Sequence, residues 1–338
     1  MKVVIIGAGR MGVRHALGLN TFLEVSKIVL VDIFPIALVN AEGAVSGVMN
    51  KEKFHFILNE DFLNTTEDYD VAIIASTAGN RLETLNSLIK KNVKHVLLEK
   101  PLGQSLEEVE QMVDYLEQYP TVKTSVNFSF RLLPTMIQLK RDLQRIPQMD
   151  GFKTISVNTG AIGIGANGIH LLDMCFFLFD ADRAEIIAAE IEDTTIPSGR
   201  GAQFNDFGGW AVIKYYNINK CVGKLMISVS SSSTAFGPIE IIGSNGRIQY
   251  DEVRGTRLDS LRNESSTFPV YRYHGDYLPD VKKEWVGVSI SELTNFWFQN
   301  VLNNQFILPS VEEALMVHKL LFDWLSNSKT HSNFYPIT

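Results

Sequence analysis

Short apolar runs alternate with amphipathic stretches through the first third of the chain. The runs are Val3 to Ile6, Ile28 to Val31, Phe54 to Leu58, Val71 to Ala75, Val93 to Leu98 and Thr121 to Val126. Runs this brief, most of them apolar on both faces, predict strands of a buried parallel sheet. The stretches between them carry helix signals. Pro35 suits the first turn of a helix. Leu82, Leu85, Leu88 and Ile89 share one face within Asn80 to Lys91. Ser105 and Glu108 form a capping-box pattern ahead of Val109, Met112, Val113 and Leu116. Six strands with intervening helices predict an α/β domain over residues 1–126, a doubly wound parallel sheet.

After Asn127 the pattern changes. A helix is predicted from Pro134 to Leu143, followed by alternating, β-branched segments at Lys153 to Thr159, Ala184 to Ile191, Trp210 to Tyr216, Leu225 to Ser233 and Ile239 to Ile242. With only one helix among them, Gly168 to Phe179, these strands predict a largely antiparallel sheet, so residues 127–338 form an α+β domain. Arg254 to Lys283 is polar and irregular, a long loop or a pair of weak edge strands. Phe296-Trp297-Phe298 reads as helix core or subunit contact, and a final helix is expected from Val311 to Ser326.

Composition narrows the function. A chain of 338 residues can bury two sizeable cores. A net charge of −7 leaves no basic excess for nucleic acid, though a local basic pocket can still hold a small anion. The two cysteines, Cys175 and Cys221, sit among apolar residues and read as buried thiols. The first strand begins at Lys2, leaving no room for a leader, and no apolar run has membrane-spanning length. A soluble, cytoplasmic protein is expected. No Cys/His cluster has metal-ligand spacing, so no metal is expected, and no Gly-x-Ser-x-Gly turn appears.

The candidate chemistry begins where the first strand breaks into Gly7-Ala8-Gly9-Arg10-Met11-Gly12. Gly7 lets the backbone turn, Gly9 lets a pyrophosphate approach the main chain, and Gly12 lets the helix pack on the strand. The helix start offers unpaired N–H groups to phosphate. Asp32 ends the second strand, twenty residues past Gly12, where a carboxylate can accept the ribose hydroxyls. Ile33 and Phe34 supply no arginine for a 2′-phosphate, so NAD is favoured over NADP. Ser76 and Thr77 end the fourth strand and Asn80 follows, along the expected cofactor span. A strand-turn-helix without nucleotide and an S-adenosylmethionine site remain alternatives.

Glu99-Lys100-Pro101 follows the fifth strand, at the carboxyl edge where open α/β sheets bind ligands. Lys100 there suits stabilising a developing alkoxide; a solvated lysine at a strand end is the plainer reading. Arg131 suits an anionic substrate group or a surface acid. The glycines from Gly160 to Gly168 suggest close backbone approach or a mobile loop. His170, among Ile169, Leu171 and Leu172, reads on its own as a core histidine.

Together, Gly7–Gly12, Asp32, Glu99-Lys100-Pro101 and the α/β-then-antiparallel order resemble the Gfo/Idh/MocA family, glucose–fructose oxidoreductase and inositol dehydrogenase among its members. Weaker likenesses lie in Val126-Asn127 with Arg131 and Pro134, in Ile239 to Ile248 with its glycine turn, and in Ser310 to Leu315. The resemblance implies an NAD-dependent oxidoreductase acting on a sugar, polyol or nucleotide-sugar-like substrate, and a homo-oligomer, dimer or tetramer, joined through the C-terminal sheet. It implies that Lys100 contacts substrate, with Glu99 beside it near the cofactor, and that His170 carries a proton. The family's Asp-x-x-x-His pair is incomplete here, because Ala166 stands at the aspartate position. Asn167 and Asp173, each three residues from His170, are the polar groups expected on the same helical face. The missing aspartate keeps open a second reading, a catalytically degenerate NAD-binding sensor or assembly protein.

Overall fold

A computed structural model of the chain describes residues 1–160, 162–197, 201, 203–263, 277–327 and 334–338. It divides into two compact units. The first comprises Met1–Leu133, Val288–His318 and Ile337–Thr338; the second comprises Pro134–Gly287 and Lys319–Pro336.

In the first unit, β1 (Lys2–Ile6), β2 (Lys27–Asp32), β3 (Phe54–Leu58), β4 (Val71–Ile74), β5 (His95–Leu98) and β6 (Lys123–Val126) form one sheet. Its order is β3-β2-β1-β4-β5-β6, and every neighbouring pair is parallel. This is the dinucleotide-binding order, with its switch point between β1 and β4. Val3, Val4 and Ile5 of β1 and all of β4 are buried, as expected of strands covered on both faces. The helices are α1 (Arg10–Leu19), α2 (Pro35–Val45), α3 (Asn59–Asn64), α4 (Arg81–Ile89) and α5 (Leu106–Glu117). Pro35 does open α2. The predicted capping box at α5 is only half formed. Ser105 Oγ accepts the Glu108 N–H, but Glu108 Oε2 accepts the Gln104 N–H, one residue before the cap.

The second unit opens with α6 (Pro134–Arg145) and contains α7 (Ile169–Phe179). Its strands are β7 (Lys153–Thr159), β8 (Arg183–Pro197), β9 (Asn205–Asn217), β10 (Lys220–Val229), β11 (Phe236–Ile242), β12 (Gly246–Asp251), β13 (Thr256–Leu261) and β14 (Val281–Glu284). The sheet runs β14-β13-β12-β11-β7-β10-β9-β8 and is antiparallel except for the β7–β10 pair. Ser230 to Ser233 lie beyond the end of β10 rather than in it. The polar stretch after Arg254 supplies β13, paired on both sides, and β14, which alone of the two is an edge strand; residues 264–276 within it lie outside the described residues, as does Ala161 of the glycine-rich stretch. Cys175 is buried as expected, whereas Cys221 is half-buried where a bulge shifts the β9–β10 register.

Two more helices follow, α8 (Ile290–Leu302) in the first unit and α9 (Val311–Ser326), which passes from the first unit into the second at His318. Within the first unit α8 packs closely on α1: a Cβ on Gly18 would lie 2.5 Å from Ser291 O. Phe298 is buried and stands edge-on to Phe22, and Trp297 is buried beside it, while Phe296 is exposed. The aromatic triplet is therefore largely helix core.

Candidate functional site

The fingerprint turn is built by exclusion of side chains. Gly7 has φ +104°, and a Cβ there would lie 2.8 Å from Ala75 C and Ser76 N. A Cβ on Gly12 would come within 1.8 Å of Gly7 O. Gly9 is different. Its φ of −72° suits any residue, and among the described residues nothing lies within 4 Å of an added Cβ. The open ground in front of Gly9 adjoins the first turn of α1, whose N–H groups have no intrahelical acceptor. The residues thus fit a dinucleotide pyrophosphate. Arg10 is exposed and Met11 half-buried at the same turn.

Asp32 braces this turn. Its Oδ2 accepts the Ala8 N–H at 2.8 Å and its Oδ1 accepts the Phe34 N–H at 3.0 Å. The carboxylate is half-buried, and each oxygen retains a lone pair for a ribose hydroxyl. The sequence after it, through Phe34 and Ile36, is exposed and without a basic group.

The end of β5 is held more firmly than the sequence suggested. Glu99 is buried, and its Oε1 accepts from Asn127 Nδ2 at 2.7 Å and from His15 Nε2 at 3.0 Å. His15 Nδ1 lies 2.8 Å from Thr294 Oγ1 of α8. Burial alone pushes the Glu99 carboxyl up. The His15 bond and charge, the Lys100 charge and the Asn127 amide outweigh it and hold the pKa at about 2. Arg81, buried at the start of α4, donates to the backbone oxygens of Glu99, Pro101 and Ser76, so one guanidinium ties the end of β4 to the end of β5. The Lys100–Pro101 peptide is cis. Lys100 itself is 7% exposed, not the solvated lysine of the plainer reading.

Below this loop, His318 of α9 accepts the Leu102 N–H at Nε2, 2.9 Å away, while Nδ1 donates to Ala314 O. Both bonds suit a neutral ring. Burial, together with the nearby Arg81 charge, pushes its pKa down to about 4, against the Ala314 bond. Ser76 is half-buried; Thr77 and Asn80 are exposed, Asn80 with φ 57° as the cap of α4. Arg131 lies half-buried in a short 3-10 turn after β6.

In the second unit, His170 is the second residue of α7 and is 8% exposed; Asp173, one turn on, is fully buried. The helix does not extend regularly backwards. Ile164–Gly168 forms a π-type turn, and a glycine with φ +72°, Gly163, precedes it. Asn167 therefore does not occupy the α-helical position expected of it. It is exposed, and its amide donates to Ile162 O at 2.9 Å.

Sequence reasoning missed His15, Arg81, His318 and Asp206. His15 and His318 were legible as polar members of apolar stripes, with Ala16 and Leu19 in α1 and with Ala314, Val317 and Leu321 in α9. Arg81 left no signal, since a buried arginine looks like an exposed one in sequence. Asp206 lies in Asn205–Gly209, which carries turn residues; the structure runs β9 through it with a positive φ at Gly209. Among the described residues, no cluster of three or more His, Cys, Asp or Glu could hold a metal ion, and no helix is long and apolar enough to cross a membrane.

Comparison with known proteins agrees with this geometry. Residues 1–128 match the family model GFO_IDH_MocA, described as an oxidoreductase family with an NAD-binding Rossmann fold. The chain is 29% identical over 363 aligned positions, covering 98% of both chains, to glucose-6-phosphate 3-dehydrogenase of Bacillus subtilis. It is 23% identical to myo-inositol 2-dehydrogenase of Thermotoga maritima, over 83% of this chain and 86% of the other. Among solved structures, levoglucosan dehydrogenase in complex with NADH superposes with a TM-score of 0.74 at 17% identity, covering 98% of each chain, a likeness of fold.

Two predictions follow from the first unit. Gly9→Ala keeps the thermal midpoint of the wild type but weakens NAD binding at least roughly tenfold, about 1.4 kcal/mol, by titration calorimetry. Gly12→Ala destabilises by about 3 kcal/mol or more. Equal NAD affinity in Gly9→Ala would refute the pyrophosphate assignment. The second concerns acid. An unfolded imidazole titrates near 6.5 and His318 near 4, so the unfolded state binds more protons between these values. The contribution of His318, about 3 kcal/mol, is fully present above pH 6.5 and is lost as pH falls through 4. Urea unfolding between pH 7.5 and 4 should show a flatter decline in His318→Gln than in the wild type; identical slopes would contradict it.

Proposed function

We propose that this chain belongs to the Gfo/Idh/MocA family of NAD-binding oxidoreductases, whose model its first 128 residues match, and from that premise derive the chemistry it performs. It transfers hydride between nicotinamide and a secondary alcohol or ketone of a sugar, polyol or nucleotide-sugar-like substrate. The observation that carries this is the open ground before Gly9 beside Asp32, in a chain whose first 128 residues match the family model. NAD, when bound, supplies the hydride acceptor or donor. The turn from Gly7 to Gly12 holds its pyrophosphate and Asp32 its ribose hydroxyls, with Ser76, Thr77 and Asn80 along the remaining span. Without a basic group after Asp32, NADP is disfavoured.

The protein residues then divide the work at the substrate. Lys100 donates a hydrogen bond to the reacting hydroxyl and stabilises the alkoxide that develops as hydride leaves. His170 takes or returns the proton, imidazole being the side chain best suited to that exchange near neutral pH. Arg131 and Asn167 are proposed as substrate-side polar groups; Asp173, fully buried, has no surface to offer a substrate and is not. Both curated relatives are named as dehydrogenases, of glucose 6-phosphate and of myo-inositol, which favours a phosphorylated or free polyol. Neither favours a non-catalytic sensor or assembly protein.

We also place the protein in the cytoplasm, where its two free thiols would stay reduced, and assign it a homo-oligomeric state through the second unit's sheet. Cross-strand registers put Trp210, Met226 and Ile242 on one face of that sheet, and all three are exposed, at 41%, 43% and 43%. Met226→Lys should shift the sedimenting species towards one chain. A wild type that already sediments as one chain would rule the interface out.

Catalysis is tested by following reduced-nicotinamide absorbance with NAD and a panel of polyols, sugars, sugar phosphates and nucleotide sugars. Turnover is expected with at least one of them, faster with NAD than with NADP. Lys100→Met should lower kcat by about 10²- to 10⁴-fold while leaving NAD affinity near that of the wild type. A Lys100→Met enzyme with unaltered kcat would remove Lys100 from the mechanism.

A further inference from the structure

The family's aspartate position holds Ala166 here, yet a carboxylate still sits at that turn, delivered from another strand. Asp206 of β9, 4% exposed, accepts the Gly165 N–H at Oδ1, 2.9 Å away, and the Ala166 N–H at Oδ2, 2.6 Å away; its own strand adds the Phe207 N–H at 2.8 Å. The chain is shaped to admit it. Gly163 has φ +72°, and a Cβ there would fall 2.1 Å from Asp206 Oδ2, so only glycine leaves room for the carboxylate. Gly163 O in turn accepts the N–H groups of Asn167 and Gly168, closing the turn ahead of Ile169 and His170.

We propose that Asp206 is the positioning residue of the proton-transfer half of the site, fixing the Gly163–Gly168 turn and through it the placement of His170. The inference rests on the proposed role of His170. Asp206 does not replace the absent acid/base group, because it is shut away from solvent and both of its oxygens accept backbone N–H groups that favour the ionised form. It supplies the geometric part of that group's work and leaves proton exchange to the imidazole. Charge-assisted bonds from a buried carboxylate to backbone N–H groups are strong and directional, and an error of about 1 Å in a reacting group can cost about 10²-fold in rate.

The test compares Asp206→Asn, His170→Asn and the double variant, in steady-state kinetics with the substrate found above. An asparagine keeps the shape and can still accept from Gly165 and Phe207, but it turns either a donor or a weaker acceptor towards Ala166. Expected is a fall in kcat of roughly 10- to 100-fold in Asp206→Asn, with the KM for NAD and the thermal midpoint close to wild type. In the His170→Asn background the same substitution should change kcat by less than about twofold, since residues acting through one group are not additive. Ala166→Pro, which removes one N–H of the contact and leaves Asp206 in place, should lower kcat in the same direction and serves if Asp206→Asn does not fold.

Wild-type kcat in Asp206→Asn or, where that variant fails to fold, in Ala166→Pro overturns the inference. So do losses that multiply fully with that of His170→Asn. Those outcomes leave the hydride-transfer reading standing. A His170→Asn enzyme with wild-type kcat instead removes His170 as the proton carrier, and the positioning role of Asp206 falls with it.

Discussion

The carboxylate of Glu99, shut away from water at the end of β5, is the constraint on which the nucleotide-binding unit depends. Burying an ion costs several kcal/mol unless partners compensate it. Its partners come from separate parts of the chain: His15 from α1 and Asn127 from the segment after β6, with Thr294 of α8 behind His15. The backbone of the same tripeptide is gripped by Arg81, and the residue after it by His318. Lys100 therefore stands between a side chain and a backbone that are both fixed. A lysine proposed to meet charge developing in a transition state gains from such preorganisation, since little must move when the charge appears.

This dependence also explains the chain order of the first unit. Val288–His318 lies far along the sequence, yet it supplies Thr294 to the Glu99 cluster and His318 to the Leu102 amide. A nucleotide-binding sheet could close with its own helices alone. What the returning segment adds is a set of polar partners for groups that burial would otherwise penalise.

The sheet of the first unit was legible because its information is local. Runs such as Val71 to Ile74 carry strand identity in consecutive residues, and Gly7 and Gly12 carry it in the absence of a Cβ. Polar clusters were not legible, because each is assembled from residues tens to hundreds of positions apart. Glu99 could be named as a candidate but not assigned its partners, as nothing near it in sequence points to His15 or Thr294. In the second unit the failure was of another kind. The three-residue spacing of Asn167 and His170 implies a shared face only on a regular α-helix, and the Ile164–Gly168 turn is wider than that. The strand β9 was shortened in prediction because Asp206, Gly208 and Gly209 look like turn residues. In the structure all three are strand residues: Asp206 accepts the Gly165 and Ala166 N–H groups, and a Cβ on Gly208 would lie 2.6 Å from Glu192 Oε2.

The absence of an aspartate at position 166 then has a narrower consequence than a sequence comparison suggests. A carboxylate in such a place can do two things, exchange a proton and hold a turn. A general acid–base group contributes about 10²- to 10⁴-fold, and the proposed role of His170 would assign proton exchange to the adjoining helix. The structural task has no substitute unless a second carboxylate is brought to Gly165 and Ala166, and Asp206 is bonded to both. Separating the two tasks between β9 and α7 is consistent with an active dehydrogenase whose site is arranged differently, and it weakens the argument that a missing aspartate marks a degenerate one.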